Sequence, residues 1–385
     1  MNERVAIVAW AQTAYEACKP HQRVQEMVYE VVKKVREQTG LKFSEDGTGI
    51  DNAITASDDI WDARTISDTP VGDVVGAHHR SEEKVGQDGA QAVFYACAGI
   101  LSGHYDVTLV VAHCKESQPA SRNLITNLTF DPFFQRSLGL DYLSAAALQA
   151  RAYMDRYGIS PEQCARVVAK SYNNARGNPL ILRARELSVD EVIRSPLIAD
   201  PIRELDAYPV TDGACALILA REEKAKKITD KPVWIDGMGN AYDAYFLGDR
   251  DLWDCQSLKL AASKAYRMAG IKDARKEIDV AEVSAFYSYQ ELLWTEGLGF
   301  CPPGEGGKLL DSGATKISGQ IPVNPSGGVL VGSPTIVAGM ARVIEAAIQV
   351  RGEGGSRQVS KVRTALAHGT SGPCGQLHTV LILKG

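Results

Sequence analysis

No run of apolar residues in this 385-residue chain reaches the ~18 that a membrane-spanning helix needs. That excludes a helical span. No C-x-x-C pair occurs either: the eight cysteines stand singly at positions 18, 97, 114, 164, 215, 255, 301 and 374. A zinc-ribbon site within the chain is therefore not expected, and no metal ligand set is assigned. Positive charge is not in excess, with 42 Lys and Arg against 47 Asp and Glu and a net charge of −5. Nucleic acid is a poor fit to that balance, because phosphate binding calls for a basic surface. No apolar leader is expected, because Met1-Asn2-Glu3-Arg4 runs directly into a strand pattern. A cytoplasmic protein with reduced, mostly buried cysteines is the expectation.

What the chain does have is ample apolar content, 45%, and a length that suggests two or three domains. It also places glycine at the ends of apolar segments. Residues 321–339 read I-P-V-N-P-S-G-G-V-L-V-G-S-P-T-I-V-A-G. Paired glycines let two backbones approach closely, and Gly332-Ser333-Pro334 reads as the opening of an alanine-rich helix over 333–350. A buried helix start turns unpaired N–H groups inward, which suits an oxyanion or a thioester carbonyl. A packed turn without a ligand uses the same residues. Gly86-Gln87-Asp88-Gly89 is a similar signal, predicting a helix start at Gly86 and a small-residue helix through Leu101.

Around these two helices the pattern alternates. Strands are predicted at 5–9, 50–57, 106–113 and 212–219, and a helix with apolar residues at helical spacing lies at 22–38. The second half repeats the arrangement: strands at 233–235, 280–284, 362–367 and 379–383, and helices at 258–268, 289–298 and 333–350. Val110-Val111-Ala112-His113 is echoed by Leu366-Ala367-His368, each after a helix that begins at a glycine-rich bend. Matched β-α-β-α-β units predict a duplicated, layered α/β fold with two central helices back to back. The stretch from 117 to 206 breaks the alternation, with helices at 143–157 and 161–176. It is read as an inserted lid subdomain whose arginines, Arg122 and Arg136 among them, are available to phosphates. The expected division is 1–116 with 207–228, the insert 117–206, and 229–385.

Several segments together resemble the thiolase superfamily, in particular sterol-carrier-protein-type thiolases and their lipid-transfer-protein relatives. They are Ser102-Gly103-His104-Tyr105-Asp106, Glu116-Ser117, Asp212-Gly213-Ala214-Cys215-Ala216, Gly297-Leu298-Gly299-Phe300-Cys301-Pro302 and Asn324-Pro325-Ser326-Gly327-Gly328. The resemblance covers essentially the whole chain. It implies a five-layered α-β-α-β-α core, a lid that helps to bind coenzyme A as substrate, with Asn324 and Gly328 beside Arg122 and Arg136 at that site, and a homodimer. The family's catalytic side chains are replaced one after another. Its nucleophilic Cys falls on Gly86, the His of its G-H-P motif on Ser333, its N-E-A-F segment on Ser284-Ala285-Phe286-Tyr287, and its C-terminal acid/base Cys on His368, followed by Gly369.

Thioester chemistry is still compatible with what remains. N–H groups at Gly86 and near Gly369 are candidates for an oxyanion hole, a device that needs placed donors and no particular side chain. His368 is the candidate acid/base group, Cys114 a nearby thiol and Tyr287 a phenolic acid. The resemblance extends to thiolase-like subunits that work with a small zinc-ribbon/OB-fold partner. It implies an acyltransferase acting on a bulky, aromatic or branched 3-oxoacyl-CoA without an acyl-enzyme. Two alternatives stand beside it: retro-aldol cleavage of a 3-hydroxyacyl-CoA, and a catalytically silent scaffold subunit.

Overall fold

The computed structural model describes residues 3–44 and 48–385; Met1 and Asn2 of the strand-entering start lie outside the described residues. The first half runs β1 (Val5–Gln12), α1 (Val24–Thr39), β2 (Asn52–Ala56), β3 (Glu82–Val85), α2 (Gly89–Leu101) and β4 (Val107–Lys115). The inserted stretch holds α3 (Arg122–Asn127), α4 (Tyr142–Tyr157), α5 (Pro161–Ala175), α6 (Val189–Arg194) and a two-stranded ribbon, β5 (Leu197–Ala199) with β6 (Ile202–Arg203). The chain then returns through β7 (Asp212–Arg221) and α7 (Glu222–Ile228). The second half comprises β8 (Val233–Tyr242), α8 (Gln256–Ala269), α9 (Ala274–Glu277), β9 (Val280–Val283), α10 (Ser288–Gly297), α11 (Gly306–Asp311), α12 (Ala338–Arg351), β10 (Thr364–Ser371) and β11 (Leu377–Lys384). No helix among the described residues is long and apolar enough to cross a membrane.

The sheet reads β3-β2-β4-β7-β1-β8-β11-β10-β9. Its two sides mirror each other about the β1–β8 seam, where Ala6 faces Trp234 and Ile7 faces Val233. On each side a parallel pair (β2 with β4, β9 with β10) is followed by an antiparallel one (β4 with β7, β10 with β11). Where β3 lies in the first half, the second has only a parallel bridge between Ala281 and Val323. The duplication expected from the sequence is present.

Layering follows from where the apolar faces point. Helix α1 buries Val24, Met27, Val28, Val31, Val32 and Val35 against β1, β4 and β7, and stops at Gly40, whose φ of 70° suits glycine. Helix α8 covers β8 and β11 on the far side. Between the half-sheets, α2 and α12 pack on each other and touch strands of both halves. Both are rich in alanine; α12 is buried along nearly its whole length, whereas α2 leaves Tyr95 and Ala98 exposed. A Cβ at Gly89 would lie 2.7 Å from that of Met340, so glycine sets how closely the central helices cross. The result is the five-layered α-β-α-β-α arrangement.

Two helix starts differ from the sequence expectation. Helix α2 begins at Gly89, because Asp88 and not Gly86 caps it: the Asp88 carboxylate accepts from the Ala90 N–H at 2.8 Å. Helix α12 begins at Ala338, not Ser333. The Thr335 N–H is engaged outside the helix by Glu116 at 2.8 Å, which holds residues 332–337 in an irregular turn.

Candidate active site

Residues far apart in sequence close on one narrow cleft. Tyr142, at the start of α4, Tyr208, Phe286, Tyr287 and Thr335 line it together with the turn 370–375 between β10 and β11. A short antiparallel bridge, Ala207 to Tyr287, brings the aromatic segments together, and the Tyr208 N–H donates to the Phe286 carbonyl at 2.9 Å. The Tyr208 ring then lies edge-on to Phe286 at 4.8 Å and to Tyr287 at 6.0 Å. Gln290 fixes the backbone beneath by accepting from the N–H groups of Phe286 (3.0 Å) and Tyr287 (3.3 Å). Tyr289 is committed elsewhere, its hydroxyl donating to Gln149 at 2.8 Å.

The Tyr287 side chain is 7% exposed, and its hydroxyl has no hydrogen-bond partner among the described residues. Burial, reinforced by the neighbouring Tyr208, holds this phenol well above its ordinary pKa, so it is neutral and a donor at pH 7. Tyr208 is pushed up to about 12, again chiefly by burial.

Glu116 anchors the wall of the cleft. This buried carboxylate accepts from Arg122 (3.0 Å), from the Thr211 N–H (3.2 Å), and from both the N–H and the hydroxyl of Thr335. One side chain thus ties the inserted stretch to both halves of the core. Arg122 stacks on Tyr208, 4.0 Å from the ring centroid, and donates to the Tyr208 carbonyl. Its two terminal nitrogens are thus engaged internally, and its Nε is buried without a partner among the described residues. Arg136 likewise donates to the carbonyls of Phe130 (2.8 Å) and Leu128 (2.5 Å).

The other expected site residues are scattered. Asn324 is buried with both amide ends used, accepting from Val283 N–H (2.7 Å) and donating to Glu291 (2.9 Å), and Gly328 packs against it with φ 70°. Both hold a turn together away from the cleft lining. Gly86 is exposed, and a Cβ there would meet nothing within 4 Å. Gly369 lies under Asp88 and leaves no room for a side chain. Asp88 accepts from Ala90 N–H and, at 2.7 Å, from Gly339 N–H, so one carboxylate occupies the starts of both central helices. Burial raises it to about 7.

His368 is the clearest departure. Gly369 faces the central helices, so His368 points to the opposite face of β10, where its Nε2 sits 2.8 Å from His378 Nδ1 beside Trp294. The ring is fully buried, lowered to about 3 by that burial, and does not line the cleft. Ser284 and Ser333 are fully buried with unpartnered hydroxyls, and neither lines the cleft. Cys114 is fully buried, and burial then Glu116 raise its thiol well above the ordinary value. Of the expected catalytic residues, only Tyr287 opens into the cleft.

The first 5–223 residues match the model of the thiolase N-terminal domain, and residues 239–385 match that of a thiolase C-terminal domain-like family. The chain belongs to the thiolase family. This thiolase-family chain is 33% identical over 289 residues to the acetyl-CoA acetyltransferase of Methanothermobacter thermautotrophicus, covering 74% of this chain and 75% of that one. It is 31% identical over 236 residues to the benzoylsuccinyl-CoA thiolase subunit BbsB of Thauera aromatica, covering 60% and 61%. With sterol carrier protein 2 of Bos taurus the identity is 33%, over 57% of this chain but only 41% of the relative. Among solved structures, the Ltp2-ChsH2(DUF35) aldolase superposes with a TM-score of 0.82 at 21% identity over 99% of this chain and 98% of that one. Human mitochondrial 3-ketoacyl-CoA thiolase in complex with CoA gives 0.72 at 17% identity, covering 100% and 98%. Both likenesses concern the fold.

Sequence reading missed Tyr142, Tyr208, Glu116 as an anchor, Asp88 and His378. Only Asp88 carried a local signal, an Asp directly before a small-residue helix.

Proposed function

We propose that this thiolase-family chain acts on an acyl-CoA, making or breaking the carbon–carbon bond beside the thioester without forming an acyl-enzyme. The chemistry we favour is aldol cleavage or condensation of a 3-hydroxyacyl-CoA with a bulky, aromatic or branched acyl group. The observation that carries it is a single aromatic cleft holding an unpartnered neutral phenol, Tyr287, while Gly86 supplies no nucleophile. A thiolase working through an acyl-cysteine admits its two thioesters in turn. Without that intermediate, thiolysis requires an acyl-CoA and free CoA at once, whereas aldol cleavage requires a single acyl-CoA beside a donor such as Tyr287.

In cleavage, the C3 hydroxyl loses its proton, the C2–C3 electron pair moves onto C2 as a thioester enolate, and C2 is then protonated. The products are a ketone or aldehyde and a shortened acyl-CoA. On condensation Tyr287 hands its proton to the C3 alkoxide and is reprotonated by water. On cleavage it donates a hydrogen bond to the C3 oxygen while water takes the C3 proton and returns one to C2. Tyr142, Tyr208 and Phe286 supply flat apolar walls for an aromatic group. The names Ltp2-ChsH2(DUF35) aldolase and thiolase subunit BbsB describe multi-subunit enzymes. In our reading a second subunit, a small zinc-ribbon/OB-fold protein, likewise completes this enzyme on a core of two chains, and the edge strand β3 offers its free edge to a second copy.

The second reading is thiolysis of a 3-oxoacyl-CoA by direct attack of CoA, with Tyr287 donating to the tetrahedral oxyanion. Mass spectrometry separates the two. The chain with its partner subunit is given an aromatic 3-hydroxyacyl-CoA, and separately the 3-oxoacyl-CoA with CoA. Aldehyde or ketone from the first alone is expected. Turnover of the second alone replaces aldol chemistry by thiolysis, and an acyl group on any cysteine overturns both.

A further inference from the structure

The region 122–141 turns apolar side chains outward: Leu124, Phe133, Phe134 and Leu138 are 73%, 80%, 71% and 82% exposed. This is not a loose loop awaiting collapse, because its backbone is tied from within. Asn127 donates to the carbonyls of Leu140 (2.7 Å) and Arg136 (3.3 Å), and Arg136 donates back to Phe130 and Leu128. The Asp131 carboxylate accepts from the N–H groups of Phe133 (3.0 Å) and Phe134 (2.8 Å). Phe130 anchors the turn by packing with Leu247 and the cleft residue Cys374. Phe133 and Phe134 are thereby held out in water on a rigid base. Leu247, which packs with Phe130, lies in the segment after β8 that exposes Tyr245 and Phe246. Large apolar side chains held exposed in such number within one short segment mark an interaction site.

Charge narrows the occupant. From 117 to 150 the only cationic residues are Arg122 and Arg136, and both are engaged internally. An anionic lipid surface would find no free cation here. Rigid aromatic anchors without charge at the centre are what a protein partner buries. The patch also adjoins the cleft through Phe130 and Cys374, so a subunit seated on it would border the cleft mouth.

We propose that residues 124–138, with Tyr245 and Phe246, are the docking surface for the second subunit, through an apolar, uncharged pocket on that protein which takes Phe133 and Phe134. This rests on the reading above that a second subunit completes the enzyme. To test it, the chain is co-expressed with each small zinc-ribbon/OB-fold protein encoded in its source genome, and any complex is sized by light scattering and its Kd measured by calorimetry. F133S/F134S is compared with wild type and with a control at another exposed apolar site, L197S/I198S. Circular dichroism and thermal melting establish that each variant is folded. Loss of affinity by 30-fold or more in F133S/F134S, with the control within threefold, is expected. Equal binding by wild type and F133S/F134S overturns the docking surface alone. No complex with any of the three proteins overturns the two-subunit reading with it. Self-association of the chain alone, or sedimentation with phosphatidylcholine/phosphatidylglycerol vesicles, either of them abolished by F133S/F134S, assigns the patch to a second copy or to lipid and overturns the proposal.

Discussion

The junction of the two central helices and the aromatic cleft are built on opposite rules. At the junction two donors share one acceptor: Asp88 joins the starts of α2 and α12, and Gly339 and Gly369 lie against its carboxylate with no space for a side chain. In the cleft, Tyr287 keeps a hydroxyl that the protein leaves unpaired. A saturated buried network specifies and stiffens, whereas an unpaired donor facing a cavity is free for a ligand. The comparison teaches that the glycine framework around the helix starts is retained for packing, and that the chemistry now available lies with the tyrosines.

Breaking the cleft side should have the largest effect. Tyr287→Phe is expected to lower kcat about 10²- to 10⁴-fold, with denaturation midpoints nearly unchanged, because its hydroxyl has no protein partner to lose. Steady-state kinetics beside urea melts decides this; retained turnover would return Tyr287 to the role of a cleft wall.

Breaking the junction should act on stability. In Gly369→Ala the new Cβ overlaps Asp88 and comes within 2.5 Å of the Ala90 Cβ. A loss of about 3 kcal/mol is expected, as for overpacking in a rigid core, read from urea unfolding.

Asp88→Asn sharpens the same side through pH. The folded pKa of Asp88 is raised to about 7, so between its unfolded value near 4 and pH 7 the native state holds more protons than the unfolded chain. Its contribution is therefore greatest at low pH and falls as pH rises through that window. Wild type minus Asp88→Asn, measured by urea unfolding at pH 4 to 8, should show a decline of about 2 kcal/mol or more; a flat difference would mean that Asp88 is ionised throughout.

The His368–His378 pair predicts the opposite sign. Both bases are held neutral by burial, His368 lowered to about 3. The unfolded chain takes up protons first, so their contribution is intact above about pH 6.5 and is lost as pH falls from there. H368F/H378F should lose less stability than wild type between pH 7 and 5. Equal acid sensitivity would assign the acid loss to other groups. The smallest effect is expected at Gly86. Gly86→Ala introduces a Cβ into open space and should shift stability by no more than about 0.5 kcal/mol.

Much of the fold was legible because periodicity and buried strands are local properties. The alternation of β and α segments, the internal echo and the small-residue central helices could all be read in order along the chain. The site was less legible. Position along a strand did not reveal that His368 turns toward Trp294 and away from the cleft, because one residue of register decides the face. Nor did spacing reveal that Asn324 serves a turn, since its partners Val283 and Glu291 lie 41 and 33 residues earlier.

By itself the sequence determined the layered α/β class, its duplication, the thiolase resemblance and the absence of a nucleophile at Gly86. Those follow from residue identity and short-range pattern. Tertiary structure alone decided that Tyr142, Tyr208, Phe286, Tyr287 and Thr335 share one cleft, that Asp88 closes the helix junction, and that Phe133 and Phe134 stay in water. The physical reason is that hydrogen-bond satisfaction and burial are settled between segments distant in the chain, and no local pattern records which partner each side chain will meet.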